Sequence, residues 1–259
     1  MAVISNINGV ALSDISKIVG VGDETIYALD AGEYPTINPT GMEGWWRMDE
    51  GTGTALIDAM GKADNGLIAN GSWETGEVRD AVGFNGSSTL VTIDDPGTDS
   101  HLDFGPNEEI SIACWAYLDP REGSLGIFLV KNRESSGTPN YQVGAFDAGP
   151  AFILWYGTGW TYIDQSDSGE YPTADTWHHF VFTWTYGVAA SYKIYIDGLS
   201  VALGWVLGDG TANNPSEGNE ALQMGAVVGT QFRLTGDLDD MRLYRRTLLQ
   251  DEITKLASM

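Results

Sequence analysis

From Gly44 to Tyr244 the apolar residues of this chain recur at every second position, in short runs cut by glycine. That period commits most of the molecule to β-sheet, because only a strand sends alternate side chains to opposite faces. Val91 and Ile93 show it, as do Ile110, Ile112 and Cys114 within the run to Leu118, and Tyr192, Ile194 and Ile196. In residues 179–186, Phe180, Phe182, Trp184 and Tyr186 fall on one face, and four aromatics in such a row read as core between two sheets. Glycine-bearing turns break the runs at 83–86, 123–126, 157–159, 208–210 and 235–236, and the 33 glycines have no collagen-like period. Helical spacing comes only at the end. Thr247 and Gln250 read as a capping box, and Leu249, Ile253 and Leu256 as an apolar stripe over residues 248–257.

The strands carry motifs in a fixed order. They are GWWRMDEGTGT (44–54), DAMGKADNG (58–66), VGFNG (82–86), ISIACW (110–115), TWHHF (176–180), YIDG (195–198) and TGDLDDMRLY (235–244). In this order the chain resembles the laminin-G-like, concanavalin A-like jelly rolls. The resemblance implies an all-β, two-sheet antiparallel jelly-roll sandwich over residues 42–259, closed by a short C-terminal helix and used mostly for recognition. It also implies a structural Ca²⁺ between the C-terminal strand and the N-terminal turns.

A net charge of −23, from 13 Lys+Arg against 36 Asp+Glu, excludes a nucleic-acid binder, which needs a basic face, and disfavours anionic membranes. The single cysteine, Cys114, cannot close an intrachain disulfide and alternates with Ile110 and Ile112, so it reads as a small core residue. Laminin-G-like domains of animals are often extracellular and disulfide-bonded, and the lack of disulfides here points away from that setting. The start MAVISNINGVALSD has no basic segment and no unbroken apolar core, so no secretory leader is expected, and no run of 18 apolar residues suggests a membrane span.

Residues 1–32 differ from the rest. At an offset of 11, Ile4, Ile15 and Ile26 align, as do Ile7, Ile18 and Leu29, and Gly9 with Gly20. The repeat reads as short helical turns, each with a polar cap, apolar residues at i and i+3 and a closing glycine. Turns so short need something to dock on. They resemble the N-terminal segments of some bacteriophage and marine-virus structural proteins. An arm over 1–32 is therefore expected, with Ile4, Ile7, Ile15 and Ile18 carrying the anchoring. It would either dock on another subunit or pack as a subdomain on its own sandwich. Residues 33–41, with Pro35 and Pro39, read as an extended linker.

Three kinds of chemistry can be weighed. If Met241 and Leu243 face inward, period two takes Asp239 inward too, and a buried carboxylate needs a cation or donors. Asp239 and Asp58 are the first candidate Ca²⁺ ligands, with Asp49 and Asp64 behind them, since Ca²⁺ takes oxygen ligands only. The alternative is that Asp58 and Asp64 cap turns and Asp239 accepts backbone N–H groups. Asp94, Asp95 and Asp103 read as solvated loop. For sugars, aromatic faces stack on ring C–H groups, and Trp160, Tyr162 and Trp205 are the candidates. Trp160 and Tyr162 belong to a cluster around a glycine turn, and Trp205 precedes the polar loop 208–219. For catalysis there is no nucleophile elbow and no E-x-D-x-x-E string of acids on one strand, and His178 and His179 read as structural.

The expectation is a non-enzymatic bacteriophage virion component, in capsid decoration or a tail fibre. Its arm would bind other virion proteins, its copies would form a homo-oligomer, and its lectin-like head would meet cell-surface glycans. The alternatives are a free-standing bacterial carbohydrate-binding module or adhesin, and a glycoside hydrolase.

Overall fold

The computed structural model describes residues 6–7, 10–11, 15–21, 25–30, 34, 37–97, 100–118, 126–131, 139–146, 149–156, 159–164, 172–173, 175–213, 215, 218–226 and 233–259. Of these, the strands before residue 31 and residues 146–164 and 206–207 are described through their backbone.

Two antiparallel sheets make the sandwich. Nine strands form the first, in the order β19 (Gly204–Leu207), β15 (Gly159–Asp164), β14 (Gly149–Tyr156), β13 (Tyr141–Phe146), β12 (Gly126–Lys131), β20 (Leu222–Met224), β10 (Leu90–Ile93), β7 (Gly66–Ala69) and β6 (Ala55–Leu56). The second runs β18 (Leu199–Ser200), β17 (Lys193–Ile196), β16 (Trp177–Thr185), β11 (Glu109–Leu118), β21 (Thr235–Tyr244), β9 (Asp80–Asn85) and β8 (Ser72–Thr75), and β5 (Met42–Trp46) also pairs with β21. Chain neighbours are often not sheet neighbours: β11 pairs with β16 and β21, while β10 and β12, which flank it in sequence, lie in the other sheet. Such crossovers are what a jelly roll requires.

Burial follows the sequence period. Phe180, Phe182, Trp184 and Tyr186 join Ile110, Ile112, Phe128, Val143, Val91 and Met241 in one core between the sheets. The outer face of the second sheet carries a smaller apolar layer, in which Ala113, Val181, Tyr195 and Tyr244 lie under Ile253 and Leu256 of helix α1 (Gln250–Leu256). The helix begins three residues after Thr247. Leu249, not Thr247, precedes it, and Glu252 reaches back to accept the Leu249 N–H at 2.9 Å. Leu248 takes the buried place expected of Leu249, which is 64% exposed.

The described residues of the arm form strands, not helical turns. Asn6–Ile7 (β1) pairs with Val10–Ala11 (β2), and Ile15–Val21 (β3) with Thr25–Asp30 (β4), as two separate antiparallel hairpins. The β-branched density of ISKIVGV explains the reversal, since Ile and Val favour the pleated chain over the helix. In the second hairpin Ile18 pairs with Ala28 and Gly20 with Ile26, so its two strands come largely from the second and third copies of the repeat. Ile7, Ile15 and Ile18 are strand residues, and Ile4 lies outside the described residues.

Candidate functional site

From the expected linker, Tyr34 and residues 37–41 lie against the sandwich as a strap. Tyr34 and Ile37 are buried in the outer layer, the Tyr34 ring standing edge-on to Trp45 at 5.3 Å. Its hydroxyl donates to Asp49 Oδ2 at 2.7 Å, and Arg47 lies over its ring at 4.3 Å while pairing with the same carboxylate oxygen at 3.0 Å. On the other side Arg242 lies over Trp45 at 4.6 Å. Two guanidinium groups thus bracket two aromatic rings, an arrangement that charge and ring quadrupole both favour.

Beneath the strap, one edge of β21 is shared by two strands. β9 takes residues 235–238 and β5 takes 241–244, so Asp239 and Asp240 fall in the gap between them. Here β21 also bulges against β11: the register shifts between Ala113 and Trp115, and Asp240 adopts φ 49°. A bulge breaks the period of two. Asp239 therefore lies opposite Trp115, on the outer side of the sheet, rather than inward with Met241 and Leu243. Both carboxylates turn toward the strap. Asp240 Oδ1 accepts from Trp45 Nε1 at 2.6 Å and Arg242 Nε at 3.0 Å, while Asp239 Oδ2 accepts from the Val78 N–H at 2.8 Å.

Asp239 Oδ1 has no partner although the residue is 0% exposed. Burial, with Asp240 and Asp49 nearby, pushes its carboxyl up to about 9. Burial also raises Asp49 and Glu50, and Asp49 Oδ1 and Glu50 Oε2 are again buried without partners. Bare oxygens on carboxyls that burial disfavours as anions are donors suited to a hard cation. Of the four candidate ligands, Asp239 and Asp49 come under the strap, with Glu50 added. Asp58 serves its turn instead: its two oxygens accept from Trp45, Met60, Lys62 and Ala63 N–H at 2.8–3.0 Å. Asp64 is exposed. No three acidic, His or Cys side chains converge on one point among the described residues, so a cation here would need carbonyl or water oxygens as well.

The candidate sugar residues are placed differently. Trp160 pairs with Trp155, and Tyr162 with Ile153 and Leu207, in the hairpin that the glycine turn foretold. Trp205 is a half-buried residue packed on the core, 6.0 Å from the Tyr192 ring and pressed onto Gly210. A Cβ on Gly210, which has φ 77°, would overlap the indole. Beyond it Ala212 and Asn213 are tied down, because Asn213 and Asn107 exchange two hydrogen bonds of 2.7 and 2.9 Å and Gly187 N–H donates to the Ala212 carbonyl.

One charged centre had no forerunner in the sequence reading. The Lys131 ammonium, 0% exposed, sits between Asp95 and Asp103, the latter at 3.0 Å, and also donates to the Glu220 carbonyl at 2.8 Å. Asp95 and Asp103 are therefore interior, not solvated loop. The available signal was a lysine ending the apolar run GIFLVK. His179 and Cys114 are sealed inside: burial, helped by Arg242, pushes His179 down to about 3, and burial raises the Cys114 thiol.

Residues 85–254 match the family described as the Concanavalin A-like lectin/glucanases superfamily. No curated protein matches the chain in sequence. Among solved structures, domain 4 of AbnA, an extracellular arabinanase from Geobacillus stearothermophilus in complex with arabinotriose, superposes with a TM-score of 0.61 at 16% identity, over 83% of this chain and 98% of that one. The binding domain of Paraclostridial Mosquitocidal Protein 1 gives 0.63 at 14% identity, over 84% of this chain and 52% of that one. A Trypanosoma rangeli sialidase in complex with sialic acid gives 0.60 at 15% identity, over 94% of this chain but 36% of its own length. At these identities the likeness is one of fold.

Proposed function

The chain belongs to the Concanavalin A-like lectin/glucanases superfamily, and on that footing we propose that it is a non-enzymatic, glycan-binding component of a bacteriophage particle. The head carries a lectin-like fold, and the arm docks on other virion proteins. The carrying observation is the hairpin β3–β4, which among the described residues is a sheet of two strands. Such a sheet is marginal in water and offers unpaired edges, so a neighbouring subunit is its natural support. Clamping at Tyr34 and Ile37 fixes where the arm leaves the head, which suits a projecting part whose orientation matters. Identical heads on one particle make a homo-oligomer the expected assembly. Several acceptor oxygens near Asp239, Asp49 and Glu50 support a structural Ca²⁺, which would neutralise the carboxylates there. The burial of His179 and Cys114 removes two reactive groups from contact with any substrate, in keeping with a role in binding.

A second reading, a carbohydrate-binding module, draws support from the match over 98% of an arabinanase's appended domain. Deleting residues 1–32 separates the two. Under the virion reading the head keeps its melting temperature but no longer joins particles or oligomers; an unchanged assembly state would sink it. Glycan-array binding by the full chain tests the reading common to both.

A further inference from the structure

Among the described residues, one half of the outer face of the second sheet is covered. Helix α1 and the strap lie over Ala113, Val181, Tyr195 and Tyr244. On the other half a single cross-strand row runs Trp177–Tyr117–Asp237–Gly83–Ser72, each residue the register partner of the next across β16, β11, β21, β9 and β8. Ala116 and Leu118 on β11, and Val82 and Phe84 on β9, point into the core, so this row points away from it. Trp177, Tyr117 and Asp237 are half-buried, while Ser72 and Glu74 are exposed.

We infer that this row is the glycan-binding site, and that its ligand is an uncharged sugar. The inference rests on the lectin reading above and locates it. The Trp177 and Tyr117 rings meet at 5.8 Å and 61°, an edge-to-face pair that leaves aromatic surface for the C–H face of a sugar ring. Next to it the sheet turns from aromatic to acceptor. A Cβ on Gly83 would lie 2.5 Å from Ser72 Oγ, 2.9 Å from Glu74 Cγ and 3.2 Å from Asp237 Oδ1, so these three side chains converge over a glycine. Asp175, at 3.4 Å from the Tyr117 hydroxyl, adds a further carboxylate at the aromatic end. Carboxylates accept hydroxyl protons strongly and repel anions. With no basic residue in the row and a chain charge of −23, a sialylated or uronic-acid ligand is opposed at short and long range.

The test uses the full chain and a panel of arabinan, xylan, galactan and glucan hexasaccharides, with 3′-sialyllactose as the acidic arm, in calorimetric titrations. At least one neutral oligosaccharide should bind. Trp177→Ala should weaken that binding tenfold or more, and Glu74→Lys, at an exposed position that leaves the fold intact, severalfold. Leu67→Ala, at an exposed position on the other sheet, should leave it unchanged. If the wild type binds but Trp177→Ala and Glu74→Lys bind as well as it does, this location is wrong and the lectin reading stands. Preference for sialyllactose overturns the ligand class. If the wild type binds no glycan at all, the lectin reading itself fails.

Discussion

Two buried acidic centres in this fold have opposite electrostatics. At Lys131 one ammonium meets two carboxylates and two backbone carbonyls, with all three charged side chains out of water, so both carboxylates share a buried cation. Under the strap Asp240 is similarly matched by Arg242 and Trp45, but Asp239 beside it keeps an oxygen with no donor. The first centre is a closed lock between the 94–103 loop, the start of β20 and the end of β12. The second is one ligand short of closure. Burial alone therefore says little about function; what separates the two centres is whether each buried carboxylate has a cation beside it.

Breaking the lock should give the largest effect. Lys131→Met leaves Asp95 and Asp103 buried without a cation, and removal of one partner of a buried pair costs about 3–5 kcal/mol. In a chain of this size that lowers Tm by roughly 10 °C, measurable by calorimetry. A variant as stable as the wild type would mean that water reaches the centre. The open site should respond to a ligand instead. Calcium at 100-fold over its Kd would stabilise the folded chain by about 2.7 kcal/mol, and a chelator would remove the gain. Asp239→Asn should abolish that response while leaving the chelated protein no less stable, because the amide keeps an oxygen for the Val78 N–H and replaces only the oxygen that has no donor. An unchanged Tm for the wild type on adding calcium would remove the metal assignment.

What was legible in the sequence follows from the same distinction. Period two placed the aromatics of β16 in the core because burial there is decided residue by residue along one strand. The motif order similarly carried the sandwich and its terminal helix. Asp239 was misplaced because its direction depends on a bulge, and the bulge arises where β5 and β9 share an edge of β21, a fact of pairing between segments more than a hundred residues apart. Lys131 went unread for a like reason, since its partners lie far away in sequence and look like loop acids. In the arm, residue spacing suggested helix while β-branching decided for strand. The row across Trp177, Tyr117 and Asp237 could not be read at all without register, because each of its members sits on a different strand.

The strap offers a smaller test. Tyr34→Phe removes one hydrogen bond to Asp49 and keeps the ring between Trp45 and Arg47, so the cost should be about 1 kcal/mol by denaturant unfolding. It also leaves Asp49 Oδ2 to the guanidinium groups of Arg47 and Arg79. The contrast with Lys131→Met would sharpen the comparison, because here a neutral donor is lost and no charge is stranded. A loss as large as that at Lys131 would show instead that the strap and the carboxylates beneath it unfold as one unit.

The smallest effect belongs to a charge pair at the margin of water. Arg246 meets Glu252 through two contacts of 2.7 Å, and this bidentate pair, with the Leu249 N–H, holds the carboxyl below its usual range. A depressed carboxyl stabilises the fold above the pKa of the unfolded chain, near 4.5, and that contribution is lost as pH falls through the lower, folded value. Glu252→Gln should therefore lower Tm at pH 7 by an amount worth under about 1 kcal/mol, and the gap between variant and wild type should close as the medium is acidified below 4.5. Thermal melts of both proteins from pH 7 to pH 3 measure it. If the gap instead widened in acid, Glu252 would be held by its protonated form, and the helix cap would owe its strength to burial and not to Arg246.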